Sequence, residues 1–367
     1  MATDITSIER PQSYFSRASV QWIVFGAFVF LTMPLALGVV FTDAPVMRWV
    51  PLYGVTFGLT HFLTTGFIYL DSANLRYFAS SLRNKLIYFV VPVAIFVVMD
   101  LATALGARAR MPWLDEALLQ IVFLANLFHV SRQSFGVLQL FKSATAGLYS
   151  EGLRSVENLF FVGLALLQAE TFWSGMQYDP NSLGVRLTTF MVAGMFVLVA
   201  TLHWRVFREG ARSRQDWVPI LYFVFQSVAG ALAVWKTSLY GIALAMHYVE
   251  YHVVMMPRVF ESPVDKRKRA DRMRRWITRS AWGFYAGLLA IAWAVWLTQR
   301  TQLYLDPFAA PLGVRIVLHS LDGLFLAHFF VEAFVWRLST PHYRKTLGPL
   351  YFAPKVGKEG GGATSAV

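Results

Sequence analysis

Apolar residues in this chain gather into long runs separated by short polar stretches, and the runs recur from one end to the other. A helix rising ~1.5 Å per residue needs roughly twenty residues to cross a ~30 Å hydrocarbon core. About ten runs approach or exceed that length: 20 to 42, 49 to 71, 84 to 106, 113 to 142, 155 to 173, 185 to 206, 217 to 236, 239 to 257, 279 to 299 and 313 to 338. They lack the period-two polar alternation of barrel strands. Backbone groups in hydrocarbon must bond inside their own segment, so the runs predict helices. The expected fold is an all-α polytopic integral membrane helix bundle. A single transmembrane domain would span 19–345, between a polar segment at 1–18 and a glycine-rich tail at 346–367. The first run is too long for a signal-peptide core and predicts a retained first helix.

Composition agrees, with 56% hydrophobic and only 15% charged residues. The net charge of +12 sharpens orientation more than it identifies a ligand. With the N-terminus inside, the cytoplasmic segments hold Arg76, Arg83 and Lys85, then Arg205, Arg208, Arg212 and Arg214. The run DKRKRADRMRRW at 265 to 276 follows, and then Arg337, Arg344 and Lys345. Opposite loops are poorer in positive charge, although 104 to 112 carries Arg108 and Arg110. The bias places both termini in the cytoplasm, as an even span count requires, and the protein in the inner cell membrane. Insertion and anionic lipids account for the basic residues, so nucleic acid is excluded as a partner. The loop at 258 to 279 reads first as a positive-inside anchor, and alternatively as a face for an acidic electron carrier.

Cysteine is absent. This excludes disulfides, thiolate-ligated haem, cysteine-bound iron–sulfur clusters and thiol nucleophiles, and leaves histidine and carboxylate as metal ligands. No phosphate-binding glycine loop occurs.

Ionisable side chains inside spans are costly and mark sites. Here they concentrate on the second run (His61), the fourth (His129), the eighth (His247, Glu250, His252) and the tenth (His319, Asp322, His328, Glu332). At about 100° per residue His247 and Glu250 share a face, whereas His252 lies about 140° from His247. His328 and Glu332 form an i, i+4 pair, and His319 and Asp322 an i, i+3 pair nearer the outside. In NLFHVSRQSFG, Asn126, His129, Arg132 and Gln133 share a face. In GLTHFLTTGF, Thr64 and Thr65 stand one turn below His61, where they can orient its ring or bond their own helix. His203 and His342, at span ends, read as interfacial.

Imidazole and carboxylate without sulfur suit non-haem iron, ahead of copper, zinc or manganese. The spacing of His247 and His252 is similar to histidine pairs of membrane fatty-acid desaturases, whose HxxHH boxes are absent here. GLTHF at 58 to 62, HYVEYH at 247 to 252 and LAHFFVEAFVWRLSTPHYRK at 326 to 345 carry a distant resemblance to the Brp/Blh-type membrane β-carotene dioxygenases. Thr60 and Phe62 replace that family's proline and second glycine, and its histidine spacing is HxxxH. The resemblance implies His61, His129, His247 and His252 as ligands of a non-haem iron. Under that reading His328 is a further ligand, Glu250 and Glu332 are catalytic or ligating carboxylates, and Thr64, Arg132, Gln133, His319 and Asp322 support them from behind. The substrate would be an apolar lipid or isoprenoid entering from the bilayer. Two rivals use the same residues: a haem-b electron carrier with axial histidines at one or two depths, and a proton-coupled transporter.

Overall fold

The computed structural model describes residues 14, 18–27, 54–109, 111–144, 149–173, 181–209, 216–236, 239–263, 265–302 and 312–352. Side chains at 18, 19, 27, 103–109, 112, 115, 298–302 and 312–322 lie outside that description. Among the described residues there is no strand. Helix α1 spans Ala18–Ala27, and α2 (Thr60–Thr65) is continuous with a π-helical turn before it (Gly54–Leu59) and a 3-10 turn after it (Gly66–Leu70). Short helices α3 (Ser72–Phe78) and α4 (Leu82–Lys85) lead through the π turn Leu86–Val90 into α5 (Val91–Ala109). Then come α6 (Pro112–Ser143), α7 (Glu151–Trp173), α8 (Leu183–Glu209), α9 (Trp217–Trp235) and α10 (Tyr240–Met256), which runs into the π turn Pro257–Glu261. The chain continues through α11 (Arg269–Ile277), α12 (Ala281–Gln302), α13 (Leu312–Val335), α14 (Pro341–Thr346) and α15 (Gly348–Tyr351).

Among the described residues, four helices are long and apolar enough to cross a membrane: Leu82–Ala102, Glu116–Ser143, Leu183–Glu209 and Trp217–Trp235. A fifth is made if Arg269–Ile277 and Ala281–Leu297, bent by 92° at their junction, count as one span. Helices also form over the expected runs at 155 to 173 and 239 to 257, but these fall short of the same measure, while in the run at 313 to 338 the apolar stretch among the described side chains is Gly323–Val335. The reason is physical: α7 carries Glu157, Gln168 and Glu170, and α10 carries His247, Glu250 and His252, in segments otherwise apolar. Most of the run at 20 to 42 lies outside the described residues.

Burial separates outer from inner helices. Only 17% of the apolar window is buried in Leu82–Ala102 and in Leu183–Glu209, against 56% in Trp217–Trp235. The outer pair exposes Val93, Val97, Val98, Leu187, Phe190 and Val197, an apolar surface suited to lipid. At the centre α2, α6, α10 and α13 pack against one another, while α5 lines the other side of α13. Gly323 makes that last contact possible, because a Cβ there would sit 2.8 Å from the Phe96 carbonyl oxygen. Below the bundle, Asp71 caps α3 by accepting from Ala73 N (2.8 Å) and Asn74 N (3.2 Å). It also receives Arg274 Nη1 at 3.0 Å, which fastens α11 to the end of the second segment.

Candidate metal centre

The four central helices carry six of the eight histidines, and their packing brings four of those rings together. His61 from α2, His129 from α6, and His328 and Glu332 from α13 each offer a ligand atom, all within 4.8 Å of one another. All four are buried. His61 Nε2 lies 2.9 Å from His328 Nε2, and Glu332 Oε2 lies 3.7 Å from His129 Nε2 and 3.8 Å from His328 Nε2. His247 from α10 stands beside the group, its ring centroid 4.8 Å from those of His61 and His129. Neither of its ring nitrogens has a hydrogen-bond partner among the described residues, and the same holds for His129 Nε2. Buried polar atoms are nearly always partnered, so orphaned nitrogens on His247 and His129 beside one centre fit a missing ligand.

Three of these distances, 2.9, 3.7 and 3.8 Å, also fit one ion. Metal–imidazole bonds of roughly 2.0–2.1 Å put two ligands at right angles about 2.9 Å apart, and two on opposite sides about 4 Å apart. His61 and His328 match the first arrangement. Nitrogen and carboxylate donors without sulfur suit iron, copper, zinc or manganese.

Local structure explains how α2 presents His61. The helix is flanked by a π turn and a 3-10 turn, irregularities that recur at functional sites. Gly58 lies under the Tyr248 ring, where a Cβ would sit 2.8 Å from Cε2, so the glycine of GLTHF admits Tyr248 beside His61.

Other sequence candidates sit elsewhere. His252 turns to the π turn at 54–59, where its Nε2 meets Thr60 Oγ1 at 3.0 Å and the Phe57 carbonyl at 3.2 Å. Its ring centroid is 6.5 Å from that of His61, and the 140° between the two histidines of α10 sends only His247 to the group. Glu250 faces α9, accepting from Tyr222 Oη (2.9 Å) and Gln226 Nε2 (2.7 Å). Thr64 Oγ1 donates to the Thr60 carbonyl at 2.8 Å, a bond within its own helix. Arg132 is exposed and pairs with Asn158, so it does not back the site. Gln133 Nε2 donates to the His247 carbonyl at 3.3 Å and so supports the backbone that carries His247. The side chains of His319 and Asp322 lie outside the described residues.

Two residues near the group, Tyr251 and Arg258, were not singled out from the sequence, and Thr65, expected to orient His61 or bond its own helix, faces Glu332 instead. Thr65 Oγ1 donates to Glu332 Oε1 at 3.0 Å and pairs with Tyr251 Oη at 2.5 Å. Tyr251 lies against His61, with ring centroids 4.0 Å apart. Arg258 is buried, sits 5.4 Å over the Trp336 ring, and has no hydrogen-bond partner for its guanidinium among the described residues. The available signal was spacing: Tyr251 is four residues after His247, and Arg258 seven after Tyr251.

His203, expected at the interface, is fully buried instead. Its Nε2 lies 2.7 Å from Glu157 Oε1, and the same carboxylate accepts from Lys142 Nζ (2.6 Å to Oε2) and Gln139 Nε2 (2.7 Å). That cluster joins α6, α7 and α8 and is separate from the histidine group. His342 is half-buried, stacked on Tyr77 at 4.1 Å.

The chain matches no family model, no curated protein and no solved structure.

Proposed function

We propose that this protein is a multi-pass inner-membrane oxygenase in which His61, His129, His328 and Glu332, with His247 beside them, hold a non-haem iron that acts on an apolar lipid or isoprenoid. The observation that carries the reading is the convergence of four buried ligand atoms within 4.8 Å from three helices. Ten spans with both termini cytoplasmic belong to the same proposal, because the helices follow the apolar runs and the basic residues favour that orientation. The likeness of GLTHF and of the closing helix to Brp/Blh-type dioxygenases favours an isoprenoid substrate.

Bound iron would supply the redox chemistry that couples O2 to the substrate. The chain's own residues supply the rest. Thr65 holds one oxygen of Glu332, leaving the other turned to the histidines. Phe62 stacks on Phe325 at 4.3 Å and Phe329 stacks on His129 at 4.5 Å, so apolar rings wall the group and keep water from it. A haem is disfavoured, since the 2.9 Å between His61 Nε2 and His328 Nε2 leaves no room for an iron between opposed axial ligands.

The test is anaerobic loading of detergent-solubilised protein with Fe(II), followed by O2 and a conjugated polyene isoprenoid. The expected result is O2 uptake matched to loss of the polyene absorbance, abolished in Glu332→Ala. Iron-loaded protein that consumes neither O2 nor polyene would refute the oxygenase reading.

A further inference from the structure

The segment after α10 forms a second concave site, away from the histidines. A cavity of about 760 Å³ is lined by Val259, Phe260, Lys266, Arg272, Arg275 and Arg279, with Trp276 at its edge. That volume falls in the range of roughly 300–1,000 Å³ typical of small-ligand sites.

Its charge is not consumed within the protein. Arg274 is spent on Asp71 and on the carbonyls of Ser262 and Pro263. Asp271 is spent on Ser72 N, Ser72 Oγ and Asp265 N, at 2.7–2.9 Å. By contrast, the side chains of Lys266, Arg272, Arg275 and Arg279 have no hydrogen bond or ion pair among the described residues. From 258 to 279 there are nine basic residues against three acidic ones, Glu261, Asp265 and Asp271. Four unpaired cations in one hollow repel one another unless an anion joins them.

Geometry selects the source of that anion. Helix α11 meets α12 at 92°, so with α12 across the membrane α11 lies along its surface. Its apolar side chains point outward: Trp276 is 76% exposed, Met273 50%, and Trp282 at the start of α12 89%. Exposed tryptophans beside lysine and arginine are the signature of the headgroup layer. A face for a soluble acidic protein has no use for an outward tryptophan pair at that depth.

We propose that this pocket binds the headgroup of an anionic phospholipid, with its phosphate among Lys266, Arg272, Arg275 and Arg279 and its acyl chains leaving past Phe260 and Trp276. The site anchors α11 to the inner leaflet and is independent of the metal centre.

Tryptophan quenching by brominated lipid tests it. Delipidated full-length protein in neutral detergent is titrated with brominated phosphatidylglycerol or brominated phosphatidylcholine, and the Trp276 signal is isolated by difference from Trp276→Phe. The expected result is half-maximal quenching at a mole fraction on the order of tenfold lower for the anionic lipid. The quadruple variant K266Q/R272Q/R275Q/R279Q loses the preference, while R83Q/R205Q/R208Q/K345Q, with the same change in net charge, keeps it. Circular dichroism and size-exclusion elution verify that both variants fold. Should the variants fail to fold, the wild-type preference is tested by competition, with 10 mM inorganic phosphate leaving it intact. Equal quenching by both lipids, equal loss in both quadruple variants, displacement by free phosphate, or binding of polyglutamate without either lipid each overturns the proposal.

Discussion

Replacing Thr65 by valine keeps the volume of the side chain and removes one hydroxyl. That hydroxyl donates to Glu332 Oε1 at 3.0 Å and pairs with Tyr251 Oη at 2.5 Å, both groups buried. The loss leaves the Tyr251 hydroxyl without its 2.5 Å partner and Glu332 one donor short, a cost of about 1–3 kcal/mol in stability. It also frees the carboxylate to rotate away from His129 and His328. Removing a group that orients a metal ligand lowers affinity by about 10–100-fold, or roughly 1.4–2.8 kcal/mol. Thr64→Val is the internal control one residue away, because Thr64 Oγ1 donates only to the Thr60 carbonyl of its own helix. Competition against a calibrated chelator under anaerobic Fe(II) gives the affinity, and thermal unfolding in detergent gives the stability. Thr65→Val binding iron within twofold of wild type, or Thr64→Val weakening it as much, would refute the assignment of Thr65 and Glu332 to the site.

His61→Ala, His129→Ala and His328→Ala each lower metal affinity by more than the ~100-fold expected of a supporting residue, whereas His252→Ala stays within threefold; the same chelator competition decides. Glu157→Gln removes the counter-charge of buried Lys142 and costs about 3–5 kcal/mol, read as a lowered melting temperature with metal content per folded molecule unchanged. Burial alone would raise the Asp271 carboxyl, but hydrogen bonds from Ser72 and Asp265 and the charge of Arg274 hold it below its ordinary 3.8. The folded chain therefore binds this proton less readily than the unfolded one, so the contribution is full above pH 4 and falls as pH drops through the folded value. The stability lead of wild type over Asp271→Asn should match at pH 7 and pH 5 and shrink near pH 3; a lead growing with acidity would contradict the hydrogen-bond account.

The four helices that build the site were legible in the sequence, because ionisable residues in apolar runs need a protein-lined interior. His61, His129 and His328 meet, and Glu332 joins them through its i, i+4 step from His328. What the spacing left open was which way each helix faces. A wheel fixes the 140° between His247 and His252 but not its azimuth, and packing against α9 and the turn at 54–59 sends His252 and Glu250 away from the centre. The choice between Thr64 and Thr65 depended on α2 itself, which changes from π to α to 3-10 within seventeen residues and so departs from a regular wheel. His203 misled through position: it sits near a helix end, yet Lys142 and Glu157 from two other helices enclose it.

The most direct measurement is elemental analysis of the purified protein together with its optical spectrum. The account predicts about one iron per chain with no Soret band in wild type, and loss of that iron in His328→Ala and Glu332→Ala while His252→Ala retains it. A Soret band, or iron kept equally by all three variants, would contradict it.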